Sequence, residues 1–176
     1  MNGKPSLTFR YATAADAPAM RALVERAYRG EESAGSWTSE AHLLEGPRTQ
    51  PGEIETLIAG ADTRFVLAEE AGEVVGCALI ERRDGYSYFG MFAVRPDRQA
   101  GGVGRAVLKA CEDAARDLWR SPELRMTVIS LRADLIAYYE RRGFVRTGET
   151  MPFPFADWTG ETTRDFDLRV LAKRLG

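Results

Sequence analysis

From Arg64 to Val94, apolar and polar residues alternate through three runs separated by short turns, and the period then changes. Arg64 to Glu69, Val74 to Arg82 and Tyr86 to Val94 read as strands, with Ala71-Gly72 and Asp84-Gly85 as the turns between them. Asp-Gly is favoured in a two-residue hairpin because both of its positions need positive φ. In the last of the three runs, alternation places Tyr86, Tyr88, Phe92 and Val94 on one face. Val103, Val107, Ala110, Cys111, Ala114 and Leu118 then recur at helical spacing, so a long amphipathic helix follows the hairpins. A sheet that opens with successive hairpins is antiparallel there and lacks the β-α-β start of a doubly wound fold.

The flanking segments fit the same plan. Leu7 to Tyr11 alternates as a half-buried strand does, and Thr13-Ala14-Ala15-Asp16 fits a capping box. Met20, Leu23, Val24, Ala27 and Tyr28 predict a helix that ends near Arg29-Gly30. Gly30 to Gly60 is irregular, with short helices expected at Trp37–Leu44 and Pro51–Ile58 around the Gly46-Pro47 break. Later, Arg125–Ile129 reads as a strand and Arg132–Arg142 as a helix stopped by Gly143. Phe144–Arg146 and Thr163–Leu171 read as the last strands. The order predicts one mixed α/β domain over residues 1–176, a central sheet with helices on both faces.

Composition narrows the function classes. A chain of 176 residues, 44% hydrophobic and 28% charged, can bury a core without staples or metals. With 24 basic residues against 26 acidic ones, it lacks the electrostatic footprint of a nucleic-acid binder. Its longest aliphatic run, Val74 to Ile80, is far short of the ~20 residues that span a bilayer. The N-terminus carries no secretory apolar core, and Cys77 and Cys111 show neither metal nor disulfide spacing. Two buried thiols in a cytoplasmic protein without a metal are expected.

The sharpest chemical signal is Gln99-Ala100-Gly101-Gly102-Val103-Gly104-Arg105, between a strand and the long helix. Glycine lets a ligand approach the backbone, and the unpaired N–H groups at a helix start suit a pyrophosphate. Arg98 and Arg105 can add charge; a tight turn without ligand is the plain alternative. No Gly-Lys-Ser/Thr follows, so the Walker pattern fails, and Val107 stands at the third glycine position of the dinucleotide fingerprint.

Gln99-Ala100-Gly101-Gly102-Val103-Gly104 resembles the Gln/Arg-x-x-Gly-x-Gly/Ala signature of the GNAT superfamily of acyl-CoA-dependent N-acetyltransferases. Met91 to Pro96 resembles the strand leading into that motif, and Tyr138-Tyr139-Glu140-Arg141-Arg142-Gly143-Phe144 resembles the family's tyrosine helix. The likeness runs from about Leu7 to Arg169. It implies an acyl-CoA N-acyltransferase-like fold with a mostly antiparallel sheet of six to seven strands, and acetyl-CoA as cosubstrate.

Site residues follow from the resemblance. The pantetheine arm would run along Phe92, Ala93 and Val94, and residues Gln99, Ala100, Gly101, Gly102, Val103, Gly104 and Arg105 would hold the pyrophosphate. The Phe92 N–H would face the oxyanion. Arg132 stands where the family often has an asparagine touching CoA, so a phosphate or acidic contact replaces it. Tyr139 would protonate the departing thiolate, while Tyr138 points about 100° away. A tyrosine of pKa about 10 is a weaker acid than a thiol near 8.5, so full transfer is uphill by about 2 kcal/mol unless the site lowers the tyrosine. Tyr139→Phe is expected to fall in the general-acid range, about 10²–10⁴-fold.

The base is not placed by a motif: Tyr88 stands where a histone-modifying branch carries glutamate, leaving Glu40, Glu81, His42 or water. Glu31, Glu32, Glu40, Glu45, Glu53 and Glu55 outnumber Arg48 between Gly30 and Gly60, which tilts expectation toward a cationic amine, and Trp37 can pave the acceptor site or simply pack. The expected partner is a small-molecule or peptide amine, with no nucleic acid and no membrane, and a homodimer is compatible with the sequence. A non-catalytic acyl-CoA sensor and a nicotinamide-dependent oxidoreductase are the alternatives.

Overall fold

The computed structural model of the chain describes residues 6–30, 43, 44, 46–154 and 165–176. Strand β1 (Thr8–Tyr11) leads through a 3-10 turn (Ala14–Asp16) into helix α1 (Ala17–Arg29), and α2 (Glu53–Ala59) precedes the meander β2 (Thr63–Glu70), β3 (Glu73–Arg83) and β4 (Tyr86–Val94). A second 3-10 helix (Pro96–Gly101) opens into α3 (Val103–Trp119), followed by β5 (Glu123–Ile129), α4 (Ala133–Glu140), β6 (Val145–Pro152) and β7 (Asp167–Arg174). The strands form a seven-stranded sheet in the order β1-β2-β3-β4-β5-β7-β6. All neighbours are antiparallel except β4 and β5, which are joined by the α3 crossover that parallel pairing needs.

Both faces of the sheet are covered. On one, α3 and α4 pack Val103, Val107, Cys111, Ile136 and Tyr139 against Ala78, Phe89, Phe92 and Val128. On the other, α1 and α2 pack Met20, Val24 and Ile54 against Phe65, Leu67 and Met91. The helix α3 lies close because Gly76 gives it room: a Cβ there would meet Val107 Cγ2 at 3.1 Å and Val103 Cγ1 at 3.3 Å. Cys77 and Cys111 are buried and unbridged, and burial pushes the Cys77 thiol up to about 12. Among the described residues no helix is long and apolar enough to cross a membrane.

The expected capping box at Thr13–Asp16 is present, and the Asp16 carboxylate, which accepts from the Thr13 N–H (2.7 Å), also accepts from the Thr13 hydroxyl and from Arg10. Other local expectations change. Strand β6 runs well beyond Phe144–Arg146 because pairing with β7, rather than any buried face, forms it: all its residues are exposed. The predicted helix at Trp37–Leu44 lies outside the described residues except for Leu43 and Leu44, which pack on Ile129 and Phe166. Thr163 lies outside them as well.

The predicted shared face of β4 is broken. Met91 adopts φ +46, and the register to β3 slips between Cys77 and Leu79. The extra residue makes a bulge that reverses the alternation. Phe92 and Val94 therefore join Phe89 in the α3-side core instead of continuing the face of Tyr86 and Tyr88.

Candidate active site

Strands β4 and β5 are registered only at Ser87–Leu124 and Tyr88–Arg125. β5 stays zipped to β7 through Ile129, so the two strands part beyond Tyr88 and leave a wedge. A cavity of about 280 Å³ fills it, lined by Gly90, Met91 and Phe92 from β4, Met126 to Ile129 from β5, and Leu135 and Tyr139 from α4. Tyr28 and Arg29 from the end of α1, with Arg48, close another wall.

Strand geometry decides which amides face this wedge. Arg95 N–H donates to the Val75 carbonyl at 2.8 Å, so Arg95 and Ala93 turn their backbone groups toward β3. Val94 and Phe92, one step out of phase, turn theirs away from β3. The Phe92 carbonyl accepts from the Tyr28 hydroxyl at 2.5 Å, and the Val94 carbonyl accepts from the Gln99 side-chain amide at 3.1 Å. Ala93, expected along the pantetheine path, is in register with Cys77 and fully buried in the α1-side core.

The glycine loop ends in Gly102 at φ +83, the left-handed residue that turns the 3-10 segment into α3. The N–H groups of Val103, Gly104 and Arg105 head that helix, where intrahelical acceptors are lacking. A Cβ built on Gly101 or Gly102 meets nothing within 4 Å, so both border open space. Gln99 braces the loop against β4, and Arg98 is turned back onto Glu70 at 2.7 Å. Ala100 is exposed within the 3-10 segment. From Arg105 a groove runs past Lys109, Arg141, Arg142 and Lys173. Only Arg105 of these basic residues was singled out from the sequence, because the others sit on separate elements.

Tyr139 is 5% exposed and is gripped edge-on by Phe89, Tyr138 and Phe144, with ring centroids 6.4, 5.3 and 5.7 Å away. Its hydroxyl has no hydrogen-bond partner among the described residues. Burial raises its pKa well above 10, with nearby Tyr28, Tyr138 and Tyr88 adding to the effect. The site therefore does not lower this tyrosine. Tyr138 instead lies under the Arg142 guanidinium, 3.4 Å from its ring centroid.

Arg132, 4% exposed at the start of α4, lines the cavity with its guanidinium held by both Asp134 oxygens at 3.1 Å. Glu81 lines no part of the cavity and pairs with Arg83 at 2.8 Å. Glu40, His42 and Trp37 lie outside the described residues, as do Glu31, Glu32 and Glu45. Glu53 accepts from the Gln50 amide and Glu55 pairs with Arg21, so neither reaches the wedge. Tyr88 folds back over Gly90, where a Cβ would meet its ring at 2.7 Å. Tyr28, Arg29 and the Met91 bulge carried no motif: their importance comes from what the fold brings beside them.

Residues 18–144 match the Acetyltransferase (GNAT) family. A relative described as an IAA acetyltransferase, from Azospirillum brasilense, is 35% identical over 103 residues, 57% of this chain and 66% of the relative. The ribosomal-protein-S18-alanine N-acetyltransferase of Escherichia coli has a similar fold, with TM-score 0.72 and 18% identity over 97% of this chain and 95% of the other. An acetyltransferase from Salmonella typhimurium, solved with its cofactor acetyl-CoA, superposes with TM-score 0.67 and 22% identity over 97% and 95% of the two chains.

Proposed function

Because the chain belongs to the acetyltransferase (GNAT) family, we propose that it moves the acetyl group of acetyl-CoA to a primary amine by direct attack in a ternary complex. The observation that carries this reading is the wedge itself: β4 and β5 part beyond Tyr88, the buried Tyr139 lines the cavity between them, and β4 leads directly into the glycine loop at the start of α3. Acetyl-CoA supplies an activated thioester carbonyl.

The residues present fit that cosubstrate. The α3 amides from Val103 to Arg105 offer donors to a pyrophosphate, beside open space at Gly101 and Gly102. Arg105, Lys109, Arg141 and Arg142 give the adjoining groove the positive charge that a phosphorylated nucleotide needs. Phe92 and Val94 present backbone groups for strand-like pairing with the pantetheine amides. The Phe92 N–H then stands where the carbonyl oxygen gains charge as the amine attacks.

When the C–N bond forms and the C–S bond breaks, charge moves to sulfur. The Tyr139 hydroxyl donates a hydrogen bond to it. Full proton transfer is disfavoured because burial raises the tyrosine further above a thiol near 8.5. The amine proton leaves through water or to a base outside the described residues, such as Glu40 or His42; among the described residues no carboxylate or imidazole lines the cavity. An antiparallel meander ahead of the glycine loop weighs against the nicotinamide alternative.

A panel of primary amines with acetyl-CoA, followed by release of free thiol, tests the reading. Amine-dependent thiol release supports it. Acetyl-CoA binding without transfer to any amine favours the sensor, and absence of binding removes both.

A further inference from the structure

The wedge has a closed end. Along β4 the glycine loop lies past Val94, the oxyanion amide is at Phe92, and Gly90 and then Tyr88 lead back to the residues still paired with β5. A cosubstrate with its pyrophosphate on the loop and its thioester carbonyl at Phe92 directs its acyl chain onward, toward Gly90 and Tyr88.

Tyr88 fills that end. Its ring lies over Gly90, where a Cβ would meet Cε1 at 2.7 Å, the hydroxyl at 3.1 Å and Cζ at 3.2 Å. A side chain at residue 90 and this ring would compete for one space. The Arg83 guanidinium stacks on the ring, 5.3 Å from its centroid. The Tyr88 hydroxyl reaches across the wedge to within 3.5 Å of Thr127 Oγ1 on β5, beyond Arg125, with which Tyr88 is in register. The ring is therefore held from three directions, and Tyr88, Gly90 and Thr127 all line the cavity.

We infer that Tyr88 sets the length of acyl group the site accepts, leaving room for acetyl and blocking chains of four carbons. This rests on the acetyltransferase reading and adds to it the residue that selects the donor. A butyryl chain has two methylenes more than acetyl. Those methylenes must displace the ring from Gly90 and Thr127 or push the carbonyl away from the Phe92 amide. Overpacking of this kind costs roughly 5- to 140-fold in affinity. With the ring removed, the same methylenes gain about fourfold each by leaving water.

Calorimetric titration of the wild type, Tyr88→Ala and Tyr88→Leu with free CoA, acetyl-CoA, propionyl-CoA and butyryl-CoA tests this without an acceptor amine. The wild type is expected to bind acetyl-CoA at least about fivefold more tightly than butyryl-CoA, with propionyl-CoA between them. In Tyr88→Ala the butyryl-to-acetyl affinity ratio is expected to rise about 10- to 100-fold, while free CoA, which has no acyl chain, binds as to the wild type. Tyr88→Leu ends short of Thr127 and moves the ratio the same way, so it serves where the alanine variant fails to fold. Equal affinity for acetyl-CoA and butyryl-CoA in the wild type overturns the inference. So does an unchanged ratio in a folded variant, or an equal loss toward every ligand, which would mark Tyr88 as merely structural. A wild-type protein that binds neither CoA nor any thioester loses the acetyltransferase reading too; one that binds CoA with a flat acyl series loses only the donor selection.

Discussion

Replacing Tyr139 with phenylalanine removes one hydroxyl and nothing else from the wedge. That hydroxyl has no hydrogen-bond partner among the described residues, while the ring is held by Phe89, Tyr138 and Phe144. The variant should therefore fold as the wild type does, with stability within about 1 kcal/mol of it, since the ring packing is kept and no hydrogen bond among the described residues is lost. Its kinetic effect follows from the direction of the tyrosine shift. Complete transfer to a thiolate is uphill by more than about 2 kcal/mol, so the group acts by donating a hydrogen bond to charged sulfur. Such a bond is worth about 1.5–3 kcal/mol, or roughly 10- to 150-fold in kcat. This falls mostly below the general-acid range of about 10²–10⁴-fold that the sequence led us to expect. Thiol release under saturating acetyl-CoA, with a melting curve alongside, measures both quantities. A loss below threefold, or one above a thousandfold in a fully folded variant, would refute the hydrogen-bond role.

The pH profile offers a second check: because Tyr139 stays protonated above pH 10, kcat/KM should rise with pH as the acceptor amine loses its proton, and a falling limb between pH 7 and 9 would contradict this. Gly102→Ala places a Cβ on a residue at φ +83 and should cost about 1–2 kcal/mol in urea unfolding. At Gly101, whose φ is not left-handed and whose Cβ meets nothing, alanine should leave stability within about 0.5 kcal/mol and weaken acetyl-CoA binding, as calorimetry can show. Arg10 holds the Asp16 carboxyl well below the usual carboxylate range, so the pair stabilises the fold above the unfolded pKa near 3.9 and loses that contribution as pH falls through the depressed native value. Asp16→Asn should destabilise by about 0.5–1 kcal/mol at pH 7, given the exposure of Arg10, and urea midpoints of variant and wild type should converge in strong acid.

What could be read from the sequence was what the residues themselves write into the backbone. Gly85 (φ +81) and Gly102 (φ +83) take the left-handed backbone that glycine allows, and the hairpin turn and the loop-to-helix junction stand where expected. Met91 gave no such signal, because methionine has no preference for the left-handed region and the surrounding sheet holds it there. The bulge was missed for that reason, and with it the switch that separates Phe92 from Tyr88. Strand β6 was mostly missed because an edge strand exposed along its length has no hydrophobic period. Arg29 and Arg48 became site residues only when α1 and the segment before α2 were brought to one cavity, a contact that spacing along the chain does not encode.

Amide hydrogen exchange, with and without saturating acetyl-CoA, addresses the central claim most directly. The account predicts new protection at Phe92, on the β4 edge, and at Val103, Gly104 and Arg105, where α3 begins. Unchanged exchange at these amides, in a protein that calorimetry shows to be loaded, would contradict it.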